Sequence, residues 1–408
     1  MRSKLKSVAL NALCEQIVAS EHNTAPTQSF GIPYVRTPNV KNTRLILDES
    51  LRVDEATYKE WTKRIEPKPY DIILCREAPV GDSAMILDNQ KVCLGQRTVL
   101  IRSNKEKIYP KYLLFLLNSP KVKHELLSNS GGTHVDHLNM KDIRNLKVQI
   151  NHSYDEQKII GDFLFNLNSQ IHSIENQNKL LEQMAQAIFK SWFVDFDGVT
   201  EWDDTELGSI PKSWTIENLH DQCRQIVRGH NTKYVKKSNL INLNQKANRG
   251  DYLDDSYFKY LDENSKIPLE KFVCKKDILI NSLGEGTLGR IHMFLDDRKN
   301  IVIDQHITIV RVNNEKIFPE YLYFFLTYPV HNTRLQNQIT GSTKMSMLNI
   351  SSIRDFTIIV PEKKIQKFFS ERVSQLYSKK SSNLKQIRNL LHIRDSSLLK
   401  LMSGEIRV

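Results

Sequence analysis

The sequence predicts a mixed α/β chain of the α+β class: two similar globular domains joined by two long antiparallel helices that form a coiled coil, the whole pseudo-two-fold symmetric. Three observations lead there. A long segment of the chain is written twice, each copy is rich in short strand-like runs, and each copy is followed by a long helical segment.

The duplication is clearest at "NKEKIYPKYLLFLL", Asn104 to Leu117, which returns 209 positions later as "NNEKIFPEYLYFFL", Asn313 to Leu326, with nine of fourteen letters identical. At the same offset "CEQIV" from Cys14 faces "CRQIV" from Cys223, and Gln96 faces Gln305. "DIILCREAPVG" from Asp71 faces "DILINSLGEGTLG" from Asp277, and "GGTHVDHLNMKDIRNLKV" from Gly131 faces "GSTKMSMLNISSIRDFTI" from Gly341. These matches put one domain in residues 1–152 and the other in 211–360. Within a copy, "DIILC", "RTVLIR", "DILIN" and "ITIVRV" read as strands. The repeated 14-mer reads as a helix, because Pro110 and Pro319 suit its first turn and apolar residues recur behind them at three and four positions.

Between the copies, residues 153–196 form the first long helix. Ile160, Leu164, Leu167, Ile171, Ile174, Asn178, Leu181, Ala185, Ile188 and Trp192 alternate steps of four and three, a sustained heptad seam. A helix of this extent is on the order of 50 Å long. Asn178 lies on the seam, either fixing partner register as a buried amide or sitting in solvent at a frayed contact. Residues 197–210 are a linker, and 361–408 form the second long helix. Its seam is less regular: Phe369, Val373 and Leu376, then after a slip Leu384, Ile387, Leu391, Leu398 and Leu401. Residues 151–207 carry a net charge of −8 and residues 361–408 one of +7, which suits the two helices as partners.

The 408 residues are 40% hydrophobic and 26% charged, the composition of a globular protein. No apolar run is long enough to span a membrane, and the expectation is a cytoplasmic protein. Cys14, Cys75, Cys93, Cys223 and Cys274 form no C-x-x-C pair and read as reduced thiols. The net charge of +11 and pI near 9.2 point toward a polyanionic partner.

A catalytic constellation is not evident. "GEGTLG", Gly284 to Gly289, fits G-x-G-x-x-G, but "RIHMFLDD" follows it where a helix is required, so a tight turn between strands is expected. There is no Walker loop and no H-E-x-x-H helix. His134 and His137 have a metal-like spacing, yet the second copy has Lys344 and Met347 there, and no metal site is expected. What the chain does offer is basic residues in expected loops that differ between copies: Arg36, Lys41, Arg44, Arg76 and Arg97 in the first, and Lys233, Lys236, Lys237, Lys246, Arg249 and Arg290 in the second. Phosphates need only a cation within reach, whereas base edges need particular side chains in a groove. A repeated frame with divergent loops suits two modules that read two different sequences.

"DEQKIIGDFLFNLNSQIHSIENQNKLLEQMAQAIFKSWFVDFDGV" followed by "ELGSIPKSWTIENL" closely resembles the central region of type I restriction-modification specificity subunits. With the duplicated domains and the C-terminal helix, the resemblance covers essentially the whole chain. It implies two target-recognition domains, each binding one half of a split double-stranded DNA site. It further implies a helical spacer that also docks methyltransferase (modification) and restriction/translocase subunits. No cofactor is then expected on this chain; S-adenosylmethionine, ATP and Mg are expected on the partner subunits. Carried over by position, the "EQKII" start, Glu156 to Ile160, should recur in the second helix, where "PEKKIQ" places Lys363 at the position of Gln157. A spacer on the order of 50 Å corresponds to about 15 base steps. Two other readings stay open at this level: a two-domain coiled-coil scaffold that binds no DNA, and a self-sufficient DNA-modifying enzyme.

Overall fold

The computed structural model describes residues 6–77, 79–128, 137–150, 153–230, 233–341 and 346–406. The chain divides into two compact units, residues 1–174 with 386–408 and residues 175–385. Each unit contains one copy of the repeat and a segment of both long helices.

In the first unit the β-branched runs of the sequence pair into a four-stranded antiparallel sheet in the order Cys14–Ala19, Thr98–Ser103, Ile72–Cys75 and Ser83–Met85. In the second unit the order is Cys223–Arg228, Ile307–Val312, Ile278–Asn281 and Ile291–Met293. Even the register repeats, with Ile101 opposite Ile17 and Val310 opposite Ile226. Alternation along a strand sends neighbouring side chains to opposite faces. Val99, Ile101, Ile72 and Leu74 enter one core cluster with the helix Pro110–Leu117, while Leu100, Ile73 and Cys75 enter another on the far face. In the second unit Ile278, Ile280 and Val310 join the core of the helix Pro319–Thr327, and Leu279, Ile307 and Ile309 the far one. Burial on both faces explains why these strands read as continuous apolar runs. Beyond the far face lies a smaller sheet: three strands in the first unit, Leu51–Val53, Ile32–Val35 and Cys93–Leu94, and four in the second, Tyr234–Val235, Lys259–Leu261, Ile241–Leu243 and Ile301–Ile303.

Polar groups repeat along with the core. The Arg102 guanidinium donates to both oxygens of buried Asp71 at 2.8 and 2.6 Å, and Arg311 does the same to Asp277 at 2.8 and 2.7 Å. Arg144 donates to Ile17 O and Arg354 to Ile226 O. The Tyr109 amide donates to Gln157 Oε1 at 3.0 Å, and the Phe318 amide to Gln366 Oε1 at 3.1 Å. This last pair corrects the expected alignment of the helix starts. Gln366 is the counterpart of Gln157, so "QKII" faces "QKFF" at the common offset of 209, and Lys363 lies outside the match.

The long helices run Tyr154–Phe193 and Lys363–Met402. In the first unit Ile160 and Leu164 share a core cluster with Leu401 and Met402, and Arg394 donates to Asn168 Oδ1 at 3.1 Å. In the second unit Asn383 donates to Asn178 Oδ1 at 2.9 Å, and Lys380 and Tyr377 donate to Glu182 Oε2 at 2.7 and 2.8 Å. Partner numbers fall on one helix as they rise on the other, so the segments are antiparallel. Of the expected pairing residues, Ile160, Leu164, Ile171, Ile174 and Asn178 are buried, and Leu167, Leu181, Ile188, Leu376, Leu384, Ile387 and Leu391 are half-buried. Asn178 is the buried amide of the two readings. Leu384 is displaced from the seam by Asn383, which is 1% exposed.

The expected linker is not coil: Trp202–Thr205 and Gly208–Pro211 pair as an antiparallel hairpin. "GEGTLG" is a turn between strands, as expected, with φ of +111°, +69° and +79° at Gly284, Gly286 and Gly289. No helix among the described residues is long and apolar enough to cross a membrane. Burial pushes the thiols of Cys14, Cys75, Cys93 and Cys223 up to about 12, so they are protonated and inert.

Candidate nucleic-acid interface

The first copy concentrates its polar chemistry where strand Ile72–Cys75 ends and strand Thr98–Ser103 begins. Arg76, read from the sequence as a loop cation, is only 8% exposed. Its Nε donates to Leu138 O at 2.9 Å and its Nη2 reaches His137 Nε2 at 2.6 Å. A guanidinium can only donate, so His137 Nε2 accepts and the ring proton sits on Nδ1. That Nδ1 donates to Glu77 Oε1 at 2.7 Å, and Glu77 Oε2 forms an ion pair with Arg97 Nε at 2.8 Å. Arg76, His137, Glu77 and Arg97 thus form a relay of two directed hydrogen bonds and a terminal ion pair. Burial lowers the Arg76 pKa from its ordinary value, but a guanidinium remains charged at neutral pH.

Arg97 ends the relay at the surface, with its side chain 59% exposed. Its φ of +66° lies in the left-handed region, which costs a non-glycine residue about 1 kcal/mol or more. The relay borders a pocket of about 270 Å³, whose remaining lining is Ser20, His22 and Gln96. Arg36 belongs to the same neighbourhood, since Gly95 beside the turn abuts its side chain.

Lys41 and Arg44 stand elsewhere, flanking a two-residue turn in which Asn42 and Thr43 have φ of +49° and +69°. Asn168 of the first long helix donates to Thr43 Oγ1 at 2.6 Å and holds that turn. The structure therefore gathers Arg36, Arg76 and Arg97 and leaves Lys41 and Arg44 on a separate hairpin.

At the equivalent place in the second copy the backbone is the same and the side chains are not. Ser282 N donates to His306 O at 2.8 Å, as Arg76 N does to Arg97 O, and Leu348 N donates to Ser282 O as Leu138 N does to Arg76 O. Arg76, Glu77, His137 and Arg97 are replaced by Ser282, Leu283, Met347 and His306. Arg228, from a different strand, caps Leu348 O at 2.8 Å, and Asp304 orients His306 at 3.1 Å.

Among the expected cations of this copy, Lys233, Lys236, Lys237 and Lys246 are exposed. Arg290 is half-buried and braces the glycine turn through Asn248 O and Gly286 O, so it is a structural arginine rather than a free loop cation. Arg249 lies over the Tyr257 ring at 4.7 Å and pairs with Asp254 at 3.4 Å. Unforeseen in the sequence, exposed Tyr234 and Tyr260 with Lys259 give the small sheet a mixed aromatic and basic surface, and Lys259 Nζ sits 4.4 Å from the Tyr234 ring centroid. Basic and aromatic residues interleaved in "KYVKK" and "FKY" were the available signal.

Residues 4–183 and 214–392 both match the family model for the type I restriction modification DNA specificity domain. The chain belongs to that family. The MjaIX type I restriction enzyme specificity subunit of Methanocaldococcus jannaschii is 27% identical over 413 residues, covering 92% of this chain and 87% of that protein. The HindI specificity subunit of Haemophilus influenzae is 23% identical over 406 residues, covering 83% and 87%. The type I restriction-modification S subunit from M. genitalium shares the fold, with a TM-score of 0.59 at 14% identity over 98% of this chain and 96% of that one.

Both specificity domains therefore carry one frame, and the relay marks where they part. His134, which gives His137 its metal-like spacing in the sequence, lies outside the described residues. The His137 Nε2 lone pair is taken by Arg76, which accounts for it without a metal. No group of three or more metal-ligating side chains occurs among the described residues.

Proposed function

We propose that this chain is the sequence-reading subunit of a type I restriction-modification complex. Each specificity domain binds one half of a split double-stranded DNA site. The paired long helices set the spacing between the halves and dock the modification and restriction subunits. S-adenosylmethionine, ATP and Mg serve those partner subunits, and this chain contributes recognition rather than catalysis. The basic loop residues that are exposed, Arg36, Lys41, Arg97, Lys233, Lys236, Lys237 and Lys246, supply phosphate and base contacts, while Arg76 and Arg290 act from within the fold.

One observation carries this reading: two domains that repeat backbone register and buried ion pairs, yet present different side chains at the same turn. Packing requires the frame to recur. Reading two different half-sites requires the surface not to.

The test is to express the chain with its modification subunit and map methylated adenines across a genome. The expected result is a split motif, of which exchanging residues 6–150 for those of another specificity subunit alters one half only. A motif altered in both halves, or no methylation above background, defeats the proposal.

A further inference from the structure

We infer that Arg97 reads a guanine in the half-site of the first specificity domain, and that Glu77, His137 and Arg76 are positioning residues that aim it. The inference rests on the DNA-reading function proposed above and names the base and the side chain that reads it.

The relay decides which donors Arg97 has left. Its Nε forms an ion pair with Glu77 Oε2 at 2.8 Å, which leaves the two Nη groups as the fork available to DNA. A fork of two parallel donors needs two adjacent acceptors. In the major groove only guanine offers them on one base, as O6 and N7; adenine pairs its N7 with a donor, thymine sets a methyl group beside its one acceptor, and cytosine offers only an amino donor.

A backbone phosphate could also accept such a fork, but the local charge disfavours it. Glu77 is an acceptor-only carboxylate, 18% exposed, held against Arg97 by a directed bond from His137. A phosphate brought onto the fork would lie within a few ångströms of this carboxylate, whereas the guanine edge is neutral. The arrangement also prepares the side chain before binding. Arg97 is paired with Glu77, Glu77 is held by His137 and His137 by buried Arg76, so less rotamer freedom is lost on contact than from a free surface arginine. The left-handed backbone at Arg97 points the same way, since strain of this kind is retained where it aims a side chain.

The second domain supplies an internal control. At the matching turn it keeps Gln305 but follows it with His306, oriented by Asp304, and replaces Glu77 and His137 with Leu283 and Met347. His306 has no such fork and the Arg228 guanidinium nearby is spent on Met347 and Leu348 O, so the second half-site does not depend on a bidentate contact from this turn.

The experiment expresses the full chain with its modification subunit as wild type, Arg97→Lys, Arg97→Ala and Glu77→Gln, and maps the methylated motif of each. Wild type should show a guanine at a defined position of one half-site. Arg97→Lys keeps the charge but not the fork, so it should lose discrimination at that one position by on the order of 10- to 100-fold, as should Arg97→Ala, with the other half-site untouched. Glu77→Gln should relax the same position more weakly. If Arg97→Lys keeps the full motif while Arg97→Ala lowers methylation evenly at every site, Arg97 holds a phosphate and the inference is wrong. A wild-type motif whose first half lacks guanine also overturns it and leaves the specificity-subunit reading standing. A wild type without any motif overturns both.

Discussion

Replacing Lys380 with methionine removes one charge from the seam of the second unit and leaves its volume nearly unchanged. Lys380 and Glu182 have side chains only 6% and 12% exposed, with Nζ and Oε2 2.7 Å apart. At an effective dielectric near 20 their gross attraction is about 6 kcal/mol, set against a desolvation cost of several kcal/mol for each ion. The net worth of the pair is therefore small, but the cost of breaking it is not. Lys380→Met strands a carboxylate that keeps only the Tyr377 hydroxyl at 2.8 Å, and the expected loss is about 3 to 5 kcal/mol. Three of the four tryptophans, Trp192, Trp202 and Trp214, lie in this unit, so indole fluorescence during urea unfolding reports mainly on it. The midpoint should fall by more than about 1 M with an unchanged slope. Combining Lys380→Met with Glu182→Leu should restore most of that loss, because no charge is then left buried. A single-variant loss below about 1 kcal/mol, or a double variant no better than the single one, would refute the account.

Two further outcomes follow from buried groups. His292 donates from Nδ1 to Gly250 O at 2.8 Å and is held neutral by burial, with its pKa lowered to about 4 from an ordinary 6.5. Its folded state binds fewer protons than its unfolded state between those values, so the second unit should lose stability as pH falls from about 6.5 to 4, by up to about 3 kcal/mol. In urea titrations across that range His292→Asn should flatten the dependence, and an unaltered slope would show that His292 is not its source. In the first unit, a Cβ on Gly161 would lie 2.7 Å from Tyr112 N and 2.9 Å from the Tyr109 ring, where the long helix meets the helix Pro110–Leu117. Gly161→Ala should therefore cost about 1 to 3 kcal/mol in calorimetry of the first unit's transition and leave the second unit's unmoved.

The frame was legible because packing repeats whatever the domain reads. The apolar spacing of the 14-mer and the doubly buried strands were visible as letters. The seam of the second helix was only partly so. Its heptad runs through Phe369, Val373, Leu376, Lys380, Asn383, Ile387, Leu390 and Arg394 without a break; it reads as a slip because Lys380, Asn383 and Arg394 are polar and meet Glu182, Asn178 and Asn168. A hydrophobic period cannot reveal a position whose burial is made tolerable by a partner some 200 residues away. Arg76 was misplaced for the same reason. It looks like a loop cation until Leu138 O and His137 are seen around it. The relay joins residues 76–77, 97 and 137, three separated stretches, and no spacing rule links them. Gln157 and Gln366 are equivalent through the hydrogen bond each accepts from the amide that precedes a short helix, which neighbouring letters do not reveal.

The chained form of the relay bears on how such a domain can change over generations. Substituting His137 alone strands a donor of Arg76 and frees one oxygen of Glu77, and each lost partner in a half-buried setting costs about 1 to 3 kcal/mol. Single substitutions thus pass through variants that are both less stable and poorly aimed. All four members lie between residues 76 and 137, within one copy of the repeat. Exchange of that whole segment would move them together and avoid the unstable intermediates, so new preferences should be inherited in blocks rather than residue by residue.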